Sequence, residues 1–359
     1  MTKTSARIGI SGEATDPPSP TSLSRFPRLL FSYITENICR VAERRTLIRR
    51  GSDAAPVPDT WQLGVGEERA RIAVVGCGGS GCNTLRRVAV PANAIRIAVN
   101  DAIHPAMAEA TYRLVLPSGS LQAYASMDEK AVRKMETHEE KEISAALLDR
   151  DAVLILGGLG GELGGWGMSL VGRVARILGD ATIALATIPF SAEGAVRRQL
   201  AEVQLQLLQK RADAVVTFSN DRLLDIARDL PLARAFAALG AIMAKPVSGL
   251  GSVLTRPDVV PVKRMLARAR DWRFGMGSGR DKHRCFLAVE EAYASPWFAS
   301  LPEDVGHAVV LMAPLEPGED EAEVLREIRL RSPRAVVAWG VLPREPAADR
   351  VTVQILAGT

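Results

Sequence analysis

Two glycine-rich segments stand where chemistry on phosphate would be expected. GCGGSGCN at 76–83 follows the aliphatic run RIAVVG (71–76) and precedes a helix predicted from about 79 to 88. Gly76, Gly78, Gly79 and Gly81 lack the Cβ that would hold a ligand off the backbone. The first N–H groups of a helix are unpaired donors suited to an anion. GGLGGELGGWG at 157–167 repeats the arrangement between the strand-like AVLIL and a helix predicted over 168–179. One such loop with an acid about twenty residues on, here Asp101 after Gly81, also fits a dinucleotide-binding fold, and a tight turn alone would use the same glycines. A dinucleotide site does not need the second loop. A nucleotide whose phosphates are gripped between loops does.

The elements that must position these loops alternate. Strand-like runs at 71–76, 95–100, 152–158, 181–190 and 213–220 are separated by helical stretches, the longest from Gly194 to Arg211. That order predicts an α/β fold with a doubly wound, Rossmann-like parallel sheet, whose ligands bind at the carboxyl ends of its strands. A long, mostly apolar helix is predicted from Ala233 to about Leu254, buried between two domains. A Pro-containing loop (255–262) and a basic helix follow. Strands at 306–313, 334–342 and 350–357, with a helix near 319–330, predict a smaller α+β C-terminal domain.

Composition narrows the function classes. Hydrophobic residues make up 47% of the 359 and aromatics only 5%, a bias that suits helices packed on buried aliphatic strands. The net charge is +4, yet residues 1–50 alone carry a surplus of five positive charges, so the body is near neutral. No basic run is interleaved with aromatics, and no nucleic-acid partner is expected. Cys39, Cys77, Cys82 and Cys285 form no C-x-x-C pair and His104, His138, His283 and His307 do not join them, so no zinc site is expected. No apolar run approaches the roughly 20 residues of a membrane span, and a cytoplasmic protein is expected. Cys77 and Cys82 flank the first loop. Phosphate-binding N–H groups would make them reactive, and burial as small filler would make them inert.

From residue 70 onward the sequence resembles the FtsZ/tubulin superfamily, in order along the chain. The loop at 76–83 resembles the FtsZ segment GVGGGGGN, and VND (99–101) resembles INTD. The loop at 157–167 occupies the place of the signature GGGTGTG. IPFSAEG (188–194) resembles KPFNFEG, and FSNDRLL (218–224) resembles IPNDKLL. LTRPDVV (254–260) resembles ITRPGLM, SPWF (295–298) resembles SSPLL, and VTVQILAGT (351–359) resembles VTVVATGI. Composition sets off a basic, partly disordered extension and linker (1–60), and the resemblance implies a nucleotide-binding domain (61–232), a central helix (233–255) and a C-terminal domain (256–359). It implies GTP or GDP as ligand, Mg²⁺ as an allowed companion, and head-to-tail self-association. Carried over by position, Gly76, Gly78, Gly79, Gly81 and Asn83 face phosphate or ribose. Gly158, Gly160, Gly161 and Gly164 do so from the second loop. Glu193 meets the ribose, Arg197 lies near the nucleotide, Asn220 contacts guanine and Phe236 stacks near the base. Without the resemblance, Glu193 reads as a helix start, Asn220-Asp221 as an N-cap and Phe236 as core.

The departures fall on the chemistry. Both signature threonines are gone, and Glu162 puts a carboxylate where triphosphate charge would gather, unless it turns outward or holds a metal ion. Trp166 is bulky where backbone approach is expected. The guanine-reading Asp of the family falls on Ala241 and its neighbouring Asn on Gly240. The contact loop that in FtsZ brings acids to the next subunit's nucleotide reads DVVPVKRMLAR (258–268), with Pro261, Lys263 and Leu266 at the family's Asn and two Asp positions. No catalytic residue is assigned, and hydrolysis by the family mechanism is expected to be very slow or absent. Lys263 and Arg264 are candidates for a neighbour's phosphates.

The expected role is a nucleotide-binding scaffold in cell division or membrane remodelling. An active GTPase drawing acids from Asp225, Asp229 or Asp258 is the alternative, and an NAD(P)-dependent oxidoreductase a remote one. Residues 25–50 predict a basic helix with an apolar stripe that either contacts an anionic membrane, packs on the body or serves as a partner-binding arm.

Overall fold

Alternate residues of the central strands divide between two cores. In β2 (Ile72–Cys77), β5 (Ala152–Gly158) and β6 (Ala181–Ile188), one set, Ile72, Val74, Leu154, Leu156, Ile183 and Leu185, joins a cluster on one face. The interleaved set, Ala73, Val75, Val153, Ile155, Ala184 and Ala186, joins the opposite one. A strand's period of two makes this the direct consequence of burying a sheet on both faces. The computed structural model describes residues 59–116, 139–226, 231–269, 271–298, 302–344 and 348–359. The helix and membrane contact expected at 25–50 lie outside the described residues, as do most of the linker, Cys39 and Asp229.

Eleven strands among the described residues form one sheet in the order β1-β10-β9-β11-β8-β7-β6-β5-β2-β3-β4. Here β1 is Thr60–Gln62, β3 Ala94–Asn100, β4 Tyr112–Val115, β7 Ala214–Ser219 and β8 Trp272–Gly279. The last three are β9 (His307–Ala313), β10 (Val336–Val341) and β11 (Val351–Gly358). From β4 to β7 every pairing is parallel, and β11 runs antiparallel to both β8 and β9. The α/β fold expected from the sequence is therefore present, with helices on both faces of the parallel strands.

Helices α1 (Gly78–Leu85), α2 (Glu162–Leu178) and α3 (Ala195–Arg211) follow β2, β5 and β6. The short α4 (Asp221–Ile226) and the long α5 (Leu232–Val253) then lead to the C-terminal half. The remaining α-helices that lie whole among the described residues are α6 (Arg256–Leu266), α7 (Arg284–Tyr293) and α8 (Glu319–Arg331).

Three sequence expectations need correction. Residues 162–167 are helix and not loop: α2 begins at Glu162, because Gly164 and Gly165 let it dock where side chains would clash. Residues 256–262 also belong to a helix, since Pro257 sits in the first turn, where a missing N–H costs nothing, and Thr255 with Asp258 caps it. The third concerns length. Ala233–Val253 is 21 residues with mean hydropathy 1.3, enough by length and composition to cross a bilayer. Its Leu239, Met243, Val247 and Leu250 are instead buried in the core, which accounts for the hydropathy without a membrane.

The sequence reading assigned no element to WRFGMGSG (272–279), which forms strand β8. Its alternate glycines let a helix pack against it. A Cβ on Gly275, Gly277 or Gly279 would meet Ala292 O at 2.0 Å, Ala288 O at 2.2 Å or Arg284 O at 1.9 Å. Glycines two apart on the strand thus match backbone carbonyls four apart on α7, and the helix lies directly on the sheet.

Candidate functional site

The carboxyl ends of the parallel strands meet at one cavity of about 700 Å³, within the usual range for small-molecule sites. β2 contributes Cys77, β3 Asn100, β5 Gly158 and β6 Thr187, and Asn220 follows β7. The strand order reverses between β2 and β5, so the two glycine segments flank the crevice where open α/β sheets bind ligands.

Helices α1 and α2 both start at this crevice. Neither has a side-chain cap: their N-cap residues are Cys77 and Gly161. The two ends approach closely, since a Cβ on Gly78 (φ +69°) would lie 3.1 Å from Gly164 N. Two uncapped N-termini leave free N–H groups and positive dipole ends facing one space.

Ten of the thirteen residues singled out from the sequence line the cavity: Gly78, Gly79, Asn83, Gly158, Gly161, Gly164, Glu193, Arg197, Asn220 and Phe236. Gly76, Gly81 and Gly160 are not in its lining. A Cβ on Gly76 would meet Gly81 O at 2.6 Å, and one on Gly81 would meet Leu156 O at 2.3 Å. These two glycines let α1 pack on β2 and β5 behind the wall. Gly160 takes a positive φ of 77° and donates its N–H to Gln204 Oε1 at 2.7 Å.

Several side chains already have partners. Glu193 Oε1 accepts from Phe190 N at 2.7 Å, and its Oε2 lies 2.9 Å from Arg197 Nη1. Glu162 is exposed, opens the first turn of α2 and lines the cavity. Trp166, in the first turns of α2, is fully buried in the core and is not in the cavity lining, so its bulk does not obstruct the site. Phe236 is 43% exposed and meets Phe190 edge-on at 5.6 Å. Asn220 is only 5% exposed, and its Oδ1 has no hydrogen-bond partner among the described residues. A buried acceptor left unpaired is costly and suits a ligand donor. Cys77 and Cys82 are wholly buried. Desolvation, with Cys82 alongside, pushes the Cys77 thiol well up, and burial pushes Cys82 to about 11, so the inert reading holds.

The segment 254–268 is engaged inside the chain. Asp258 is buried, and its Oδ2 accepts from Thr255 N (2.9 Å), Thr255 Oγ1 (2.6 Å) and Gly64 N (3.0 Å). Lys263 Nζ donates to Gly179 O at 2.9 Å and Asp180 O at 2.8 Å, at the end of α2. A cation there is favoured by the helix dipole and is not held out for a neighbour's phosphates. Asp225 lies 3.5 Å from Arg222 on the surface.

Sequence reasoning missed Gln204, Ser80, Thr84, Arg87 and Thr187. Gln204, in α3, is 1% exposed and clamps the second loop by accepting from Gly160 N and donating to Gly161 O at 2.9 Å. It enters only because position 165 is glycine: a Cβ there would meet Gln204 Oε1 at 2.2 Å. Nothing in the sequence of α3 marks this glutamine. Thr84 and Arg87 lay in reach, one and four residues past Asn83, Thr84 within α1 and Arg87 two residues beyond its end.

Residues 71–228 match the model of the tubulin/FtsZ family, GTPase domain. Over 300 residues the chain is 31% identical to cell division protein FtsZ 1 of Pyrococcus horikoshii, covering 80% of each protein. It is 31% identical over 333 residues to FtsZ 1 of Archaeoglobus fulgidus, covering 87% of this chain and 88% of the relative. Its fold is similar to an FtsZ dimer from M. jannaschii, solved empty, with a TM-score of 0.71 at 25% identity, covering 82% of this chain and 90% of that one.

Proposed function

The chain belongs to the tubulin/FtsZ family, and from that premise we propose that it binds a guanine nucleotide in the 700 Å³ cavity, self-associates and hydrolyses the nucleotide very slowly or not at all. The observation that carries the binding reading is the pair of uncapped helix N-termini facing a cavity whose far wall holds the unpaired Asn220 Oδ1. The residues fit the ligand class. The starts of α1 and α2 would take the phosphates, Glu193 the ribose, and Asn220 with Phe236 the base. Glu162, as a hard oxygen ligand, would share Mg²⁺ with phosphate oxygens. Bound GTP would supply the γ-phosphoryl group. The chain's own part is to hold it between helix ends and away from bulk water.

The slow-hydrolysis reading is supported by the segment after α5. In FtsZ, acids of this segment serve the next subunit's nucleotide. Here Asp258 is buried as a cap, and Lys263 stands where the family has an acid. A carboxylate that already accepts three hydrogen bonds through one oxygen is badly placed to orient water. Self-association is supported by the relative solved as a dimer. A place in cell division is supported by the FtsZ relatives, and membrane remodelling by the basic extension alone.

The test is direct. The purified chain is assayed for copurifying nucleotide, for GTP binding, and for phosphate release at high protein concentration beside the M. jannaschii FtsZ. Bound guanine nucleotide with background turnover is expected. Turnover matching that FtsZ would refute the slow-hydrolysis reading, and no nucleotide binding would refute the site.

A further inference from the structure

The second glycine loop is held from outside its own helix. Leu159 N donates to Thr187 O at 2.9 Å, which ties the start of the loop to the end of β6. Gly160 then takes φ +77°, and Gly161, the N-cap of α2, leads the chain into the helix. The N–H that enters this turn and the C=O that leaves it meet one side chain. Gln204 Oε1 accepts from Gly160 N at 2.7 Å, and Gln204 Nε2 donates to Gly161 O at 2.9 Å. Gln204 is 1% exposed and lies behind the cavity wall, outside its lining, whereas Gly161, Glu162, Leu163 and Gly164 are in it.

Room for that side chain comes from α2. A Cβ on Gly165 would lie 2.2 Å from both Cδ and Oε1 of Gln204 and 2.7 Å from its Cγ. A side chain at 165 and the amide of Gln204 therefore exclude each other. Position 165 is where the signature GGGTGTG carries its second threonine. Arg197, seven residues before Gln204, shares its face of α3 and lines the cavity. Gly160 is tight against that helix as well, since a Cβ on it would meet Arg197 O at 2.8 Å. The loop is thus gripped between the end of β6 and one face of α3.

We infer that Gln204 is the positioning residue of the phosphate cradle, and that Gly165 is the glycine it requires. This rests on the nucleotide reading of the cavity. The free N–H groups in the first turn of α2 hold phosphate only while they point at one place, and the backbone of Gly160 and Gly161 sets that direction. Without the amide, Gly160 N and Gly161 O lose their partner. A glycine turn has the widest choice of φ and ψ by which to swing them toward new ones, and the start of the helix swings with it. Gln204 itself touches no ligand. Its effect falls on the phosphates and grows with their number, and the base and ribose contacts, which come from other elements, are spared.

The experiment uses the full chain, stripped of nucleotide, with GMP, GDP and GTP competing against a fluorescent GDP derivative. Q204M fills the space of the glutamine and makes neither bond. Shown folded by circular dichroism and thermal melting, it is expected to weaken GTP about tenfold and GMP less than about twofold. G165A, which pushes the glutamine out, is expected to give the same pattern. It should add almost nothing once Q204A has emptied the space, because the two changes act through one contact. Hydrogen exchange reads the clamp without any substitution: in wild type the Gly160 amide is protected with and without GDP, and the amides in the first turn of α2 gain protection when GDP binds. A folded Q204M with unchanged GTP affinity, an equal loss for GMP and GTP, additive effects of G165A and Q204A, or a Gly160 amide that exchanges freely in the nucleotide-free chain would each overturn the inference. If wild type binds none of the three nucleotides, the nucleotide reading itself falls, an outcome distinct from a glutamine that only stabilises the fold.

Discussion

Thr255 and Asp258 cap each other across the first turn of α6, with Thr255 N and Oγ1 both donating to Asp258 Oδ2 at 2.9 and 2.6 Å. Gly64 N, 194 residues away in sequence, donates to the same oxygen. The acid closest to the family's catalytic segment is thereby a structural cap. D258A removes three hydrogen bonds, two of them buried, and should cost about 2–3 kcal/mol of stability, read as a lowered denaturant midpoint. Phosphate release per folded molecule should not change. A stable D258A protein with altered turnover would return Asp258 to the catalytic candidates.

Putting an acid back at position 263 should not restore hydrolysis. Lys263 closes the end of α2 on Gly179 O and Asp180 O and lies 3.9 Å from Asp213 Oδ2. K263D would set a carboxylate against two carbonyls and the half-buried Asp213, destabilising the fold by about 3 kcal/mol, with K263M milder. A K263D variant as stable as wild type, or one that gains GTP turnover, would contradict this.

Glu162 lines the cavity at the start of α2 and competes with phosphate for the helix dipole. E162Q should bind GTP about three- to tenfold tighter without Mg²⁺, with GDP much less affected. If the carboxylate shares Mg²⁺, the advantage shrinks or reverses when Mg²⁺ is added. Equal GTP affinity of wild type and E162Q in both conditions would show that the side chain points away from the phosphates.

Glu139 is buried, and desolvation, with the neighbouring Glu142 carboxylate, raises its carboxyl to about 7. The native state then holds this proton more tightly than the unfolded chain. The stability so gained is full below the ordinary carboxyl range and is lost as pH rises through 7. E139Q should therefore melt higher than wild type at pH 8, with the difference largely gone at pH 5. Parallel melting curves for the two proteins between pH 5 and 8 would count against it.

Cys77, Cys82 and Cys285 are fully buried, and burial raises all three thiols. A thiol reagent at pH 8 should leave them unmodified in the native chain and label them in denaturant, as peptide mapping would reveal. Rapid native labelling of Cys77 would show that the cavity floor opens.

Sequence alone settled what neighbours along the chain encode. The period-two split of Ile72, Val74 against Ala73, Val75 dictates a sheet buried on both faces, and the glycine runs after β2 and β5 mark its ligand edge. The family resemblance and the missing acids at 261–266 are likewise local and were legible. Only the tertiary structure decided which glycines face the cavity, Gly78 and Gly79, and which let helices pack, Gly76 and Gly81. It alone turned Trp166 inward, gave Lys263 to the end of α2 and set Gln204 under the second loop. Gln204 meets Gly160 across 44 residues, and Lys263 meets Gly179 across 84. No periodicity along the chain records such pairings, because each depends on how separate helices come to rest on a shared sheet.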